Sequence, residues 1–542
     1  MKLKYLFLSL LFVFILFSSA FSQQHEKPKL VVGIVVDQMR YDYLYRFEPY
    51  FSNGGFKRLM SEGANFTFAH FNYSPTNTAP GHATIYTGTT PFFHGIIGND
   101  YYDKKSRKMI YCVSDSSVRS VGSNDREGQM SPRNLLSTTI TDQLKLATNQ
   151  QSKVIAISLK NRGAVIPGGH AADGAYWYNI KTGDMISSSY YIQVLPEWVD
   201  EFNSRKLVAH YLAKGWNLSR PESDYMISSP DDSPYEKDVF KEGKTTFPHK
   251  FDHLSESEKF DLFETTPFGN NIVQEFAKAA LVNEKLGKRG QTDFMAVSFS
   301  STDHVAHDYG SLSYENQDNY IKLDSLIADL LSALDQQVGA GNYLLFLTAD
   351  HAGIDTPGFL KEKGYPAGEL NNKLFIDSLK SFSLRNYGNV DLIENISNKQ
   401  IYFNRDRIKK NNLDIHDLEV KYADYIRDNF SAVTSIFKRD DLEKMVSHRG
   451  SSNMILNGFN PVRSGDLFFN LQPGYLPNFL SQGTTHSSVY SYDTHVPLLF
   501  YGWHIPKQRN NSLVYIVDIA ATVANLLNIM EPSASIGVPL FK

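Results

Sequence analysis

Short apolar runs that end in polar residues recur along this chain. Leu30 to Val36 is a continuous, mostly β-branched run that stops at Asp37. The same pattern recurs in residues 154–159, 294–299 and 343–347. Such runs are typical of strands that are buried on both faces of a parallel sheet. Between the last two runs, apolar residues repeat at helical spacing from Leu323 to Leu334, which predicts an amphipathic helix.

This order of strand, helix and strand predicts an α/β fold with a doubly wound, mostly parallel sheet flanked by helices. Residues 496–501 are predicted to return to the sheet, and residues 517–527 to form a final helix. Residues 171–265 and 355–480 lack the alternation, so we interpret them as insertions that form a cap over the sheet edge. In sheets of this kind, ligands bind at the carboxyl ends of the strands.

The first 22 residues have the composition of a secretory signal. Lys2 and Lys4 precede an apolar stretch, and Ala20 and Ser22 provide the small residues of a cleavage site. The alternative is a retained membrane anchor, but the apolar stretch is shorter than the roughly 20 residues that span a bilayer. We therefore expect an exported, periplasmic protein with one catalytic domain over residues 23–542 and no membrane span after cleavage.

Charge and cysteine content argue against a nucleic-acid-binding protein and against a fold held by disulfides. Lys and Arg number 54 against 58 Asp and Glu, and the net charge of -4 comes without a long basic tract. A nucleic-acid partner is therefore not expected. The single cysteine, Cys112, excludes an intrachain disulfide. We expect a monomer that acts on small molecules.

Three aspartates and three histidines follow the predicted strands closely. They are Asp37, Asp303, His307, Asp350, His351 and His486. Taken singly, each could be a cap, turn or surface residue. Because the carboxyl ends of parallel strands meet at one edge, however, the six side chains should converge there. Two sites with three oxygen or imidazole ligands each, and an open position for substrate, suit Zn²⁺.

Thr78 is a candidate nucleophile. Pro80 suits the first turn of a helix, so the hydroxyl of Thr78 should lie at a helix N-terminus, where the helix dipole and free N–H groups favour anions. A threonine hydroxyl is a poor nucleophile until a metal lowers its pKa. Considered alone, Thr78 is better explained as a simple helix cap.

Together, these segments resemble the alkaline phosphatase superfamily. The similarity rests on Thr-x-Thr-Ala-Pro-Gly-His around Thr78, His-Gly-Ile-Ile-Gly-Asn ending at Asn99, the spacing of Asp303 and His307, Asp350-His351, and Gly-Thr-Thr-His ending at His486. Their order is most similar to that of the PafA-type bacterial alkaline phosphatases, which use a threonine nucleophile and two zinc ions.

The resemblance implies a ligand set for each of two Zn²⁺ ions per chain. One ion would be held by Asp303, His307 and His486, and the other by Asp37, Asp350 and His351, with Thr78 bound to the second as the nucleophile. It also implies a covalent phosphothreonine intermediate and small phosphate esters as substrates. We expect broad specificity.

Lys160 and Arg162 follow a predicted strand and offer two cations for the phosphoryl group. The resemblance implies that both contact it, together with Asn99. Because a monoester dianion carries more charge than a diester, this set favours a phosphate monoesterase. Two alternatives stay open: a diester hydrolase similar to the nucleotide pyrophosphatases/phosphodiesterases, and an extracytoplasmic metal-binding protein without activity. A sulfatase is disfavoured because Cys112 lies far from the motif those enzymes modify.

Overall fold

The computed structural model describes residues 27–388, 391–445, 450–477 and 482–541. The predicted signal sequence, residues 1–22, lies outside the described residues. Among the helices that are described, none is both long and apolar enough to cross a membrane.

A ten-stranded sheet forms the centre of the molecule. Its strands are, in chain order, β1 (Leu30–Val36), β2 (Ala64–Phe66), β3 (Ser120–Val121), β4 (Val154–Ser158), β5 (Gly174–Tyr178), β6 (Met185–Ser188), β7 (Asp293–Phe299), β8 (Tyr343–Thr348), β9 (Leu498–Gly502) and β10 (Gln508–Asn510). The spatial order is β10-β2-β9-β8-β1-β7-β4-β5-β6-β3. Only β9 and β6 run against the common direction, so the predicted mostly parallel sheet is confirmed.

Helices cover both faces of this sheet. The longer ones are α1 (Thr78–Thr87), α2 (Ile140–Ala147), α3 (Asn161–Gly168), α4 (Glu197–Ser204), α5 (Phe268–Asn283), α6 (Ser301–Tyr309), α7 (Tyr314–Gln337), α8 (Asn372–Tyr387), α9 (Ile415–Asn429), α10 (Ser451–Gly458) and α11 (Asp518–Leu527). Shorter helices include Phe56–Glu62, Pro91–His94, Leu207–Leu212, Glu256–Leu262, Pro357–Glu362, Arg405–Lys410 and Arg439–Lys444. Every residue of β1, β7 and β8 is buried between these layers, which explains their predominantly apolar sequences.

The register of the central strands brings their carboxyl ends to one edge. Val36 lies opposite Phe299, and Val35 lies opposite Thr348. Ser158 of β4 lies opposite Ser298 of β7. The polar residues that follow β1, β4, β7 and β8 therefore lie side by side, as the sequence pattern predicts.

The first region interpreted as an insertion begins later than predicted. Strands β5 and β6 belong to the central sheet, although both lie within residues 171–265. Strand β5 reads Gly-Ala-Tyr-Trp-Tyr rather than as a β-branched run, so the pattern that identified the other central strands does not detect it. The short strands β2, β3 and β10, which lie at or next to the edges of the sheet, were not predicted because they contain only two or three residues.

The second region, residues 355–480, contains a separate layer. Its four-stranded antiparallel sheet, called here the small sheet, comprises Ile393–Ser397, Gln400–Phe403, Leu467–Leu471 and Val433–Lys438 in spatial order. Helices α8 and α9 contribute Phe375, Leu379, Tyr422 and Ile426 to a hydrophobic core shared with these strands. This layer is therefore stabilised by apolar packing of its own.

A buried group of acidic side chains joins the first region to the start of α7. His249 lies between Glu242 and Glu315, with its ring nitrogens 3.0 Å and 3.1 Å from their carboxylate oxygens. Nearby Glu236 is only 1% exposed, and neither of its carboxylate oxygens has a hydrogen-bond partner within the described residues. Burial, followed by repulsion from Glu315, raises the pKa of Glu236 well above its ordinary value.

Replacing Glu236 with glutamine should stabilise the protein at alkaline pH. The raised pKa keeps the Glu236 carboxyl neutral in the folded state. In the unfolded chain the same carboxyl ionises above its ordinary pKa of about 4.5. The free energy of unfolding therefore falls as the pH rises from this ordinary pKa to the folded-state pKa, because only the unfolded state gains from ionisation. We expect urea unfolding to show Glu236→Gln more stable than wild type by on the order of 2 kcal/mol at about pH 8.5, and by less at about pH 5.5. The exposed-site control Glu201→Gln should show no such pH-dependent gain, and an equal gain there would contradict the interpretation.

Candidate active site

The nucleophile candidate lies at the start of α1, against the end of β8. Thr78 is the first residue of this helix and is 1% exposed. A Cβ at Gly81 would lie 2.1 Å from the carbonyl oxygen of Asp350, so only glycine permits this approach. The ring of His82 contacts the Thr78 carbonyl oxygen and the Ser298 hydroxyl, both at 2.9 Å. The first turn of α1 is thereby fixed to the carboxyl edge of the sheet.

Asp37, Asp350 and His351 form one group of potential metal ligands at this edge. All three are fully buried, and one ligand atom from each lies within 4.8 Å of the others. Nε2 of His351 is 3.4 Å from Oδ1 of Asp37 and 3.9 Å from Oδ1 of Asp350. This is the set that the resemblance implied for one ion.

The second group lies around Asp303 on α6. Oδ1 of Asp303 is 3.1 Å from Nε2 of His307, one helical turn later, and 3.8 Å from Nε2 of His486. Ligand atoms of Asp303, His351 and His486 also lie within 4.8 Å of one another, because the rings of His351 and His486 stack at 3.6 Å between centroids. The structure thus brings all six candidates together, with His351 adjacent to both groups.

Backbone carbonyl groups orient the three histidines in the same way. The Nδ1 atoms of His307, His351 and His486 lie 2.7, 3.0 and 2.7 Å from the carbonyl oxygens of Thr484, Ala352 and Thr76. Since a carbonyl oxygen only accepts, each Nδ1 carries a proton, and each Nε2 is left on the side of the acidic residues, where it could bind a metal. This arrangement is typical of metal-binding histidines.

The buried polar atoms of the site fit divalent metal ions. Asp37 Oδ1, Asp350 Oδ2 and His351 Nε2 have no hydrogen-bond partner within the described residues. Burial, and then the adjacent Asp37 carboxylate, raise the pKa of Asp350 well above its usual range. Carboxylates packed this closely require a compensating cation, and a mixture of oxygen and imidazole ligands suits zinc or a similar ion.

Lys160 lies between the two ligand groups. Its ammonium nitrogen is 2.8 Å from Oδ2 of Asp37 and also contacts Oδ2 of Asp303. Burial alone would lower the pKa of Lys160, but the carboxylates of Asp303 and Asp37 outweigh this effect and raise it. The side chain is therefore a fixed positive charge at the centre of the site.

Arg162 and Asn99 complete the polar lining. Nη1 of Arg162 donates to the hydroxyl of Tyr111 at 3.1 Å, while its buried Nε has no hydrogen-bond partner within the described residues. The Ala79 N–H donates to Oδ1 of Asn99 at 2.9 Å, which leaves the NH₂ group of Asn99 as a donor. Tyr111 was missed in the sequence because it lies on the hairpin strand Lys108–Tyr111, outside every motif.

Comparisons with known proteins agree with this geometry. Residues 31–492 match the family model described as type I phosphodiesterase / nucleotide pyrophosphatase. Alkaline phosphatase PhoV of Synechococcus elongatus is 45% identical, covering 96% of this chain and 93% of its own length. Alkaline phosphatase PafA of Elizabethkingia meningoseptica is 40% identical, covering 95% and 94%.

Solved structures extend the similarity to the fold. A crystal structure of wild-type alkaline phosphatase PafA matches with a TM-score of 0.91 and 39% identity, over 95% of this chain and 98% of that one. A PafA variant with a threonine, an asparagine, a lysine and an arginine replaced matches equally well. The resemblance inferred from the sequence motifs is confirmed: the chain belongs to the type I phosphodiesterase/nucleotide pyrophosphatase family, within the alkaline phosphatase superfamily.

Proposed function

We propose that this protein is an alkaline phosphatase that hydrolyses phosphate monoesters of small molecules with broad specificity. The observation that carries the proposal is the buried ammonium group of Lys160, which lies 2.8 Å from Asp37 and contacts Asp303, one carboxylate from each ligand group. A fixed cation at this position complements a substrate group with two negative charges. The near full-length similarity to PhoV and PafA supports the same activity.

The six acidic and imidazole side chains provide the ligands for two zinc ions. Asp303, His307 and His486 would hold one ion, and Asp37, Asp350 and His351 the other. Bound there, the ions would supply Lewis acidity that lowers the pKa of the Thr78 hydroxyl and screens the phosphoryl charge.

Thr78 carries the covalent chemistry. Its Oγ loses its proton to solvent and attacks phosphorus, the ester bond breaks, and the departing oxygen takes a proton from water. Water then attacks the phosphothreonine, the bond from phosphorus to Oγ breaks, and inorganic phosphate and the free hydroxyl result. Each displacement inverts phosphorus, so the two together restore its configuration.

Lys160, Arg162 and Asn99 orient the phosphoryl group. The guanidinium of Arg162 can donate to two oxygens at once, whereas the ammonium of Lys160 acts as a point charge. The four residues replaced in the PafA variant are a threonine, an asparagine, a lysine and an arginine. Thr78, Asn99, Lys160 and Arg162 are the same residue types in the same order, which supports their assignment here.

A diester hydrolase is the second candidate, because a cavity beside His486 could hold its second ester group. The cavity has a volume of about 310 Å³ and lies against the small sheet. Its lining includes the apolar residues Phe375, Ile376, Phe469 and Leu471. Such a wall can receive an organic group, whether the leaving group of a monoester or the second ester group of a diester.

The ratio of kcat/KM for an aryl phosphate monoester to that for the matching methyl diester distinguishes the two. For the zinc-loaded protein we expect a monoester preference of about 10³-fold or more. The reason is that Lys160, Arg162 and Asn99 face the additional negative charge of the monoester's phosphoryl group. A chelator should remove both activities, and added zinc should restore them. A diester preference would establish the second candidate, and the absence of both activities would indicate a metal-binding protein.

We also propose that residues 1–22 are a cleaved signal and that the mature protein is a periplasmic monomer. On this proposal, the part of residues 171–265 that follows β6 and the region at 355–480 form the cap. The small sheet and α8 face the substrate through the cavity lined by Phe375 and Phe469. Amino-terminal sequencing and the mass of the purified periplasmic protein test these assignments. A start at Met1 or a dimeric mass would contradict them.

A further inference from the structure

A third group of metal-ligand residues lies outside the active site, in the layer built on the small sheet. His416 and Glu419 are one turn apart near the start of α9. Asp440 lies in the first turn of the helix Arg439–Lys444, which directly follows a strand of the small sheet. One ligand atom from each residue lies within 4.8 Å of the other two.

One carboxylate oxygen of Glu419 is buried without a partner among the described residues. Its side chain is 1% exposed, and Oε2 has no hydrogen-bond partner within the described residues. The carboxylates of Asp440 and Asp466 are its acidic neighbours. Arg405, the nearby cation, is paired with Asp466. The protein thus buries a carboxyl oxygen next to other acidic groups without satisfying it, which is unfavourable unless a cation binds there.

The other two residues leave the group open to solvent on one side. Nδ1 of His416 contacts Oδ2 of Asp440, and these side chains are 62% and 25% exposed. An ion could therefore enter from water and keep a water ligand. One imidazole with two carboxylates suits Zn²⁺, whereas Ca²⁺ prefers oxygen ligands alone.

We propose that His416, Glu419 and Asp440 bind a zinc ion that links α9 to the helix Arg439–Lys444 and so stabilises the layer of the small sheet. This ion is additional to those of the active site. The inference does not rest on the proposed phosphatase activity, because its ligands belong to a different layer of the molecule.

The zinc content of the full-length protein tests this proposal. Protein equilibrated with zinc and freed of loosely bound metal by gel filtration should contain about one zinc equivalent more than Glu419→Gln or His416→Ala treated identically. Glutamine has the shape of the neutral form of Glu419, so the first variant should fold. Asp417→Asn is the matched control, since Asp417 lies on the same helix but pairs with Lys421, and it should retain the full content.

Two further measurements separate this site from the active site. The kcat/KM of both variants should equal that of wild type, and zinc should raise the thermal midpoint of wild type more than that of Glu419→Gln. Equal zinc content in wild type and both variants would overturn the proposal. Retention of calcium rather than zinc would overturn the choice of metal.

Discussion

Replacing Thr78 with alanine should reduce phosphate monoester hydrolysis by about 10⁴-fold or more, because removal of a covalent nucleophile leaves only binding and electrostatic stabilisation. The metal content should stay that of wild type, since six other side chains surround the sites and alanine preserves the helical start of α1. Steady-state kcat/KM and zinc analysis of the same preparation provide the measurement.

Thr78→Ser is the matched control because it keeps the hydroxyl group at the same position. It should retain measurable turnover and accumulate phosphoserine when the reaction is quenched with acid. Near wild-type activity of Thr78→Ala would exclude a covalent intermediate on Thr78. Loss of both zinc and activity in Thr78→Ala would instead indicate that Thr78 mainly maintains the metal site.

Replacing Lys160 and Arg162 together with alanine should lower kcat/KM for an aryl monoester by about 10³-fold or more, because each removed donor faces the charge of the phosphoryl group. Hydrolysis of the matching methyl diester should change by less than about tenfold, since the diester presents one charge fewer. The measured quantity is the ratio of the two losses in the zinc-loaded variant.

Lys160 also contacts Asp37 and Asp303, so the zinc content of this variant must be determined alongside the kinetics. The exposed pair of Lys181 with Glu127 provides a control, and Lys181→Ala should leave both activities unchanged. Equal losses for monoester and diester at full zinc content would contradict the proposed role of the two cations.

Sequence reasoning was most successful where one physical cause dominates. Strands β1, β7 and β8 are buried on both faces, so their sequences are predominantly apolar and their ends were located within a residue or two. The same logic predicted the convergence of Asp37, Asp303 and Asp350, because polar side chains after parallel strands share one edge of the sheet.

Sequence reasoning was least informative where contacts between distant segments determine the position of a side chain or strand. The carbonyl groups of Thr76, Ala352 and Thr484 orient the three candidate ligand histidines. Any residue type has a carbonyl group, so these contacts leave no signature in the sequence. Tyr111 reaches Arg162 only through the fold. Strand β5 was missed because its aromatic residues do not form the β-branched pattern of the central strands.

The positions of the two candidate ligand groups along the chain also affect the order of folding and metal binding. Asp37 follows the first described strand, whereas His486 lies beyond the small sheet, so nearly the whole polypeptide separates them. A chain ending before residue 486 could present Asp37, Asp350 and His351 but could not complete the group around Asp303. Because such distant segments meet only after the intervening loops close, full metal loading would be a late folding event. Nascent or truncated chains would therefore be inactive, and metal content would report the completion of folding.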